Sequence, residues 1–276
     1  MTMTDVDELR KIAVEVAVAG ANRAAELRRR GVTVAASKKS PEDIVTQADR
    51  EVEELIRSEV TAARPDDGFC GEESPAVTGT SGLHWLVDPI DGTVNYLYGQ
   101  SPCSVSVAVV EGEPEPTTWR ALAASVVNID SGEVYSAARG RGAELDGRPL
   151  SVGTNDNPSL ALVATGFGYF PEERMRQAEV IRNLVGVVRD LRRVGSAALD
   201  LCAVGAGRLD MFYERGLNAW DIAAGTLVAQ EAGAKVLGLD GEAASPAMII
   251  ATNLALARSL GPRIVEWHRE AGLITD

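Results

Sequence analysis

Asp88 and Asp91 are the residues of this sequence best placed to do chemistry. They fall in Trp85-Leu86-Val87-Asp88-Pro89-Ile90-Asp91-Gly92-Thr93-Val94-Asn95-Tyr96, directly behind the apolar run Leu83 to Val87. That run, bounded by Gly82 and Pro89, predicts a short buried strand. Pro89 stiffens the chain and lacks a donor, and Gly92 permits a tight turn. Thr93 to Tyr98 predicts a short helix with Asp91 or Gly92 at its cap. Two carboxylates at a strand end offer oxygen ligands to a hard cation, and a helix start offers N–H groups to a phosphate. The same spelling is also ordinary turn chemistry. What separates the two readings is whether further carboxylates arrive in suitable settings.

They do, from distant places. Phe69 and Cys70 predict a strand feeding Gly71-Glu72-Glu73-Ser74, so two more acids follow a strand end. Asp49 lies upstream, and Asp221 opens a helix in Trp220-Asp221-Ile222-Ala223-Ala224-Gly225. An Asp in a first helical turn needs no more reason than the helix dipole, yet it is also one more hard-metal ligand.

The elements that must position these groups are readable in outline. Asp5 to Arg30 carries Leu9, Ile12 and Val16 at helical spacing and stops at Arg28-Arg29-Arg30-Gly31, where the arginines read as a solvated cap. Val32 to Ser37 predicts a strand, and a helix after Asp49 runs to Arg64. Ser104 to Val109, Ala121 to Asn128 and Glu133 to Ala138 predict further strands, and Gly140, Gly142 and Gly147 punctuate turns. A boundary near Ser151 divides an N-terminal α+β half (1–150), which holds most of the acidic candidates, from a C-terminal α/β half (151–276) that carries Asp221. In the second half, strands at 160–164, 191–194, 210–214, 234–237 and 247–250 alternate with helices at 171–188, 195–204 and 220–233, before a final helix over 254–272.

Composition narrows the function. The 276 residues carry a net charge of −13, which argues against direct binding of nucleic acid or an anionic membrane. Cys70, Cys103 and Cys202 are odd in number and widely spaced, as expected of reduced thiols in a cytoplasmic protein. No signal-peptide pattern opens the chain, and no apolar run approaches the roughly 20 residues of a membrane span. With only His84 and His268 present, histidine-based zinc or nucleophilic chemistry is disfavoured.

Taken together, Gly71 to Ser74, Trp85 to Thr93 and Trp220 to Gly225 resemble the inositol monophosphatase family of Mg²⁺-dependent, lithium-sensitive phosphatases, in the superfamily that includes fructose-1,6-bisphosphatase. Lys38 to Asp49 and Arg193 to Glu214 extend the likeness over most of the chain. The resemblance implies a layered α-β-α-β-α sandwich of the α+β class, a homodimer, and two to three Mg²⁺ ions per active site. Glu72, Asp88 and the carbonyl of Ile90 would hold one ion, Asp88, Asp91 and Asp221 a second, and Glu72 a third. Glu73 matches an acidic position that would orient water at the metal. Thr93 paired with Asp49 would position and help deprotonate the attacking water, and Lys38 would lie near the phosphate or metal-bound water. Gly92 and Thr93 would offer N–H groups to the phosphate, while Gly195, Ser196, Ala197 and Glu214 would contact the alcohol part.

The expected activity is hydrolysis of myo-inositol 1-phosphate and related polyol phosphates by direct water attack. Fructose-1,6-bisphosphatase or nucleotide 3′-phosphatase activity on the same metal core is the enzymatic alternative. A regulatory binding protein in transcription or RNA processing is the alternative from another class.

Overall fold

A computed structural model of the chain describes residues 5–32, 34–37 and 44–274. In chain order, helix α1 (Val6–Arg30), strands β1 (Val34–Ser37) and β2 (Ile44–Thr46) and helix α2 (Gln47–Ala63) come first. Then follow β3 (Gly68–Gly71), β4 (Leu83–Asp91), α3 (Thr93–Leu97), β5 (Ser104–Glu111), β6 (Arg120–Asn128), β7 (Val134–Ala138), β8 (Gly142–Leu145) and β9 (Arg148–Pro149). The remainder is β10 (Leu162–Thr165), α4 (Pro171–Val185), β11 (Asp190–Arg192), α5 (Ala197–Gly205), β12 (Met211–Glu214), α6 (Ala219–Glu231), β13 (Lys235–Leu237), β14 (Ile249–Thr252), α7 (Leu254–Ser259) and α8 (Gly261–Glu270).

Strands β3 to β9 form one seven-stranded sheet in sequence order, parallel between β3 and β4 and antiparallel elsewhere. A mixed five-stranded sheet has the order β11-β10-β12-β14-β13. Because strand side chains alternate, β5 feeds two cores. Val105, Val107 and Val109 meet Leu9, Ala13 and Val16 of α1 and Val52 and Ile56 of α2. Ala108 and Val110 face Leu199 and Cys202 of α5 and Ala223 and Leu227 of α6. The other side of α5 and α6 presents Leu201, Val204 and Ile222 to Phe212, Ile249 and Ala251 of the second sheet. That sheet's outer face, with Val163, Met211 and Ile250, is covered by Leu184 of α4, Leu256 of α7 and Ile264 of α8. The result is an α-β-α-β-α sandwich, in which α6 is apolar on every side because it lies between two sheets.

Several boundaries differ from the sequence expectation for local reasons. β4 does not stop before Pro89 but continues to Asp91, because the pairing to β5 shifts register between Asp88 and Asp91 and no ladder donor is needed there. The turns around Gly142 and Gly147 hold two more strands, β8 and β9. The last helix is broken after Ser259, since Pro262 has no N–H to continue the ladder and crowds the carbonyl four residues back. The arginine cap is also not simply solvated. Arg28 reaches Asp130 at 2.6 Å, the Asn95 carbonyl at 3.1 Å and the Gln100 carbonyl at 2.6 Å, and lies over the Tyr96 ring. The cysteines are unpaired, with Cys103 and Cys202 buried. Among the described residues, no helix is long and apolar enough to cross a membrane.

His268, on α8, makes one consequence of this burial measurable. It is 2% exposed, its Nδ1–H donates to the Ile264 carbonyl at 2.7 Å, and its ring meets Tyr213 edge-on. Burial, opposed by the Ile264 bond, pushes its pKa down from 6.5 to about 4. The unfolded chain therefore takes up this proton before the folded one does. Its contribution to stability is intact above pH 6.5 and falls as the pH drops toward 4, by about 3 kcal/mol in all. In urea unfolding, His268→Phe is expected to show a shallower loss of stability across that window than the parent. An identical slope in both proteins would rule out His268 as its source.

Candidate active site

The site is built where the C-terminal end of β4 meets the N-termini of α2, α3, α5 and α6. Asp49 is set by the start of α2, where the Thr46 hydroxyl accepts from the Asp49 N–H at 3.3 Å. In return Asp49 Oδ2 accepts from the Thr46 N–H at 2.9 Å and from its hydroxyl. Asp49 is 1% exposed, and burial pushes its pKa up to about 6 against the Thr46 bonds, with the Glu73 charge adding to the rise. Its other oxygen faces Thr93, whose hydroxyl lies 3.3 Å from Asp49 Oδ1 and 3.1 Å from the Ile90 carbonyl.

Asp88 and Asp91 occupy the irregular end of β4, opposite Ser106 and Ser104. Asp88 Oδ1 accepts from the Ile90 N–H at 3.0 Å, which closes the Asp-Pro-Ile turn on itself. Asp91 Oδ2 accepts from Ser196 Oγ at 2.6 Å and the Ala198 N–H at 2.8 Å, while Oδ1 accepts from the Ala197 N–H at 3.3 Å. The start of α5 thus holds a carboxylate contributed by the other sheet. Gly92 follows with φ +97°, and a Cβ there would come within 2.9 Å of the Gly195 carbonyl, so only glycine fits between the two segments.

Glu72 follows β3, its N–H donating to the Val87 carbonyl at 3.2 Å, and Glu73 comes next. Asp221 lies in the first turn of α6, with Oδ2 accepting from the Asn218 N–H at 2.6 Å. The carboxylates are close enough to oppose one another's ionisation. Asp88 is pushed well above the ordinary range by burial and then by Glu72, Asp91, Asp221 and Asp49. Asp221 is raised by burial, Glu72, Asp91 and Glu214, and Asp91 by burial against its Ser196 and α5 bonds. Glu214, at the end of β12, is pushed up to about 8 by burial and Asp200, with Arg193 opposing.

The model of the inositol monophosphatase family matches residues 5–273. The chain belongs to that family. Among the relatives of this family member is an inositol-1-monophosphatase of Mycobacterium bovis, 47% identical over 210 residues, or 73% of this chain and 70% of the relative. The Nus factor SuhB of Xylella fastidiosa is 36% identical over 93% of this chain and 96% of its own length. The crystal structure of the extragenic suppressor protein suhB of Bartonella henselae is similar at a TM-score of 0.86 and 33% identity, covering 94% of this chain and 98% of that one.

The donor set of this inositol monophosphatase family member suits a hard divalent cation. Buried carboxylates repel one another, and the groups that raise Asp88 are all acidic. Among the described residues, no three of them already converge as a coordination shell. Asp91 is turned onto α5 and Asp221 onto Asn218.

Of the residues expected from the sequence, Asp49, Thr93, Asp88, Ile90, Asp91, Gly92, Glu72, Glu73, Asp221 and Glu214 lie around this end of the molecule. Lys38 lies outside the described residues. Ser196 and Ala197, expected beside the alcohol, bond to Asp91 through the Ser196 hydroxyl and the Ala197 N–H.

Four contributors had gone unrecognised: Ser104, Asn95, Asp200 and Glu53. Ser104 Oγ lies 3.1 Å from Ser196 Oγ, and Asn95 Nδ2 donates to the carbonyls of Pro102 and Val194 at 2.8 and 2.9 Å. Asn95 thereby ties α3 to the segment that leads into α5. Asp200 is buried between Asp91 and Arg193. Glu53 had a signal in the sequence, since it is a charged residue among Val52, Ile56 and Val60 on the face that α2 buries.

Proposed function

We propose that this chain is a Mg²⁺-dependent phosphomonoesterase that hydrolyses myo-inositol 1-phosphate and related polyol phosphates by direct attack of water. The observation that carries the reading is the mutual repulsion of Asp88, Glu72, Asp91 and Asp221 beside the Thr93–Asp49 pair. Glu72, Asp88, Asp91, Asp221 and the Ile90 carbonyl would hold the ions. Bound Mg²⁺ supplies Lewis acidity and charge neutralisation, which phosphoryl transfer needs more than covalent help.

The chain's own groups do the rest. Asp49, fixed by Thr46, accepts a proton from the Thr93 hydroxyl, and that hydroxyl orients the water and relays its proton. Glu73 aligns the same water from the β3 side. Gly92 and Thr93 offer backbone N–H groups to the phosphate. Glu214 and the backbone of Gly195 would face the alcohol. The raised pKa of Glu214 leaves much of it protonated at neutral pH, so it both donates and accepts hydrogen bonds to hydroxyls.

A screen of phosphate release from inositol, sugar and nucleotide phosphates, with Mg²⁺ and with excess chelator, tests the proposal. Release from inositol 1-phosphate is expected to exceed that from fructose 1,6-bisphosphate and a nucleotide 3′-phosphate, and to vanish with chelator. Release that persists in chelator would refute the metal assignment, and a preference for the nucleotide would refute the substrate. The relative called a Nus factor favours a second, regulatory reading, which gains ground if no phosphate ester is hydrolysed.

A further inference from the structure

We infer that Glu53 is a positioning residue that aims the Glu72–Glu73 segment at the metal site, an inference that rests on Glu72 being a metal ligand. Glu53 lies in α2 one turn after Asp49 and is 2% exposed. It shares that buried face with Val52, Ile56 and Val60, where an apolar side chain would satisfy the core. Its carboxylate makes directional contacts instead. Oε2 accepts from the Glu73 N–H at 2.7 Å, and Oε1 accepts from the Ser74 hydroxyl. Arg57, one turn further along α2, lies 3.5 Å from Oε1, contacts Ser74 Oγ, and covers the Phe69 ring with its guanidinium 4.4 Å away.

The fit is close. A Cβ on Gly71 would overlap the Glu53 carboxylate, so glycine at that position lets the helix acid approach the chain as it leaves β3. On the opposite side, the Glu72 N–H is held by the Val87 carbonyl of β4 at 3.2 Å. Residues 71–74 are therefore clamped between β4, which carries Asp88, and α2, which carries Asp49. A carboxyl oxygen accepting from a backbone N–H is a direction-giving bond, and its loss leaves a partly buried donor without this partner. Through Glu53, one rigid helix sets both the direction of Glu72 and the place of the Asp49–Thr93 pair.

The test titrates the full-length protein with MgCl₂ by calorimetry, alongside Mg²⁺ activation of phosphate release and circular dichroism. Glu53→Ala is expected to weaken Mg²⁺ binding by about 10- to 100-fold, as losses behind a metal ligand do, while leaving substrate KM at saturating Mg²⁺ within about twofold. Glu53→Gln keeps an acceptor for the Glu73 N–H and is expected to stay within about threefold of the parent. Ser74→Ala removes one of the bonds without disturbing α2, falls between the two, and decides the matter if Glu53→Ala does not fold.

Parent-like Mg²⁺ affinity in Glu53→Ala, or in Ser74→Ala when that variant decides, would overturn the inference. So would a Glu53→Gln as impaired as Glu53→Ala, because charge rather than directed bonding would then be at work. A parent protein that binds no Mg²⁺ defeats the metal reading itself, which is a different result from a parent that binds and a Glu53→Ala that binds equally well.

Discussion

Asp88→Asn is expected to lower kcat/KM by about 10³-fold or more at saturating Mg²⁺, and at the same time to raise the melting temperature of the chelated protein. The first effect follows from the several kcal/mol that divalent ions contribute to stabilising charge in phosphoryl transfer, at about 1.4 kcal/mol per tenfold. The second follows from the surroundings of Asp88, which is 3% exposed and repelled by Glu72, Asp91, Asp221 and Asp49. Asparagine keeps the oxygen that accepts from the Ile90 N–H and removes the charge. Relief of about 0.5–2 kcal/mol is typical where a function-bearing, destabilised site is neutralised, which for a chain of this size is roughly 2–6 °C. The response to Mg²⁺ should reverse the order, because the ion stabilises the parent by binding its folded form and the variant hardly at all. Differential scanning calorimetry with and without Mg²⁺, beside a phosphate-release assay, checks both halves. A variant that loses activity and also melts lower in chelator would show that Asp88 is held by something other than a cation.

Thr93→Val is expected to cost about 10²- to 10⁴-fold in kcat, the usual range for a lost proton-transfer group, with Mg²⁺ affinity nearly unchanged. Valine preserves the shape of the side chain, so the start of α3 and its contacts persist, and only the hydroxyl between Asp49 Oδ1 and the Ile90 carbonyl is lost. Thr93→Ser should restore most of the rate, since it returns the hydroxyl at the same carbon. The measurement is a kcat and KM series for the two variants with parallel Mg²⁺ titration. A drop confined to Mg²⁺ affinity would reassign Thr93 from proton handling to support of the Ile90 carbonyl. Asp49→Asn should reproduce the Thr93→Val phenotype, and the double variant should be little worse than either alone, because the two residues act as one relay.

These expectations draw on different depths of information. The pairing of Asp88 with Asp91 was visible because strand, proline turn and glycine are adjacent in the chain and local sterics fix their geometry. Asp49 was visible as a candidate, but its pairing with Thr93, 44 positions away, came only from the family resemblance, and its local cap with Thr46 was overlooked. Arg28 read as a cap because its neighbours along the chain are basic, whereas its partners Asp130 and Gln100 arrive only when β5 and β6 pack over α1. Pro262 could be read as a helix breaker from its covalent structure alone, and the unbroken final helix expected here overlooked it.

By itself, the sequence determined the type of the elements and the chemical kind of the site: hydrophobic period and turn residues act over a few positions, and carboxylates carry their chemistry with them. Only the tertiary structure decided which carboxylate is held by what. Asp91 could have faced an ion, a substrate or a helix, and it is the stacking of α5 between two sheets that delivers Ser196, Ala197 and Ala198 to its oxygens. Likewise Glu53 stood on an apolar face with nothing nearby in the chain to explain it, until β3 brought the Glu73 N–H within 2.7 Å. Hydrogen-bond direction and mutual charge depend on distance in space, and no spacing along the chain encodes that.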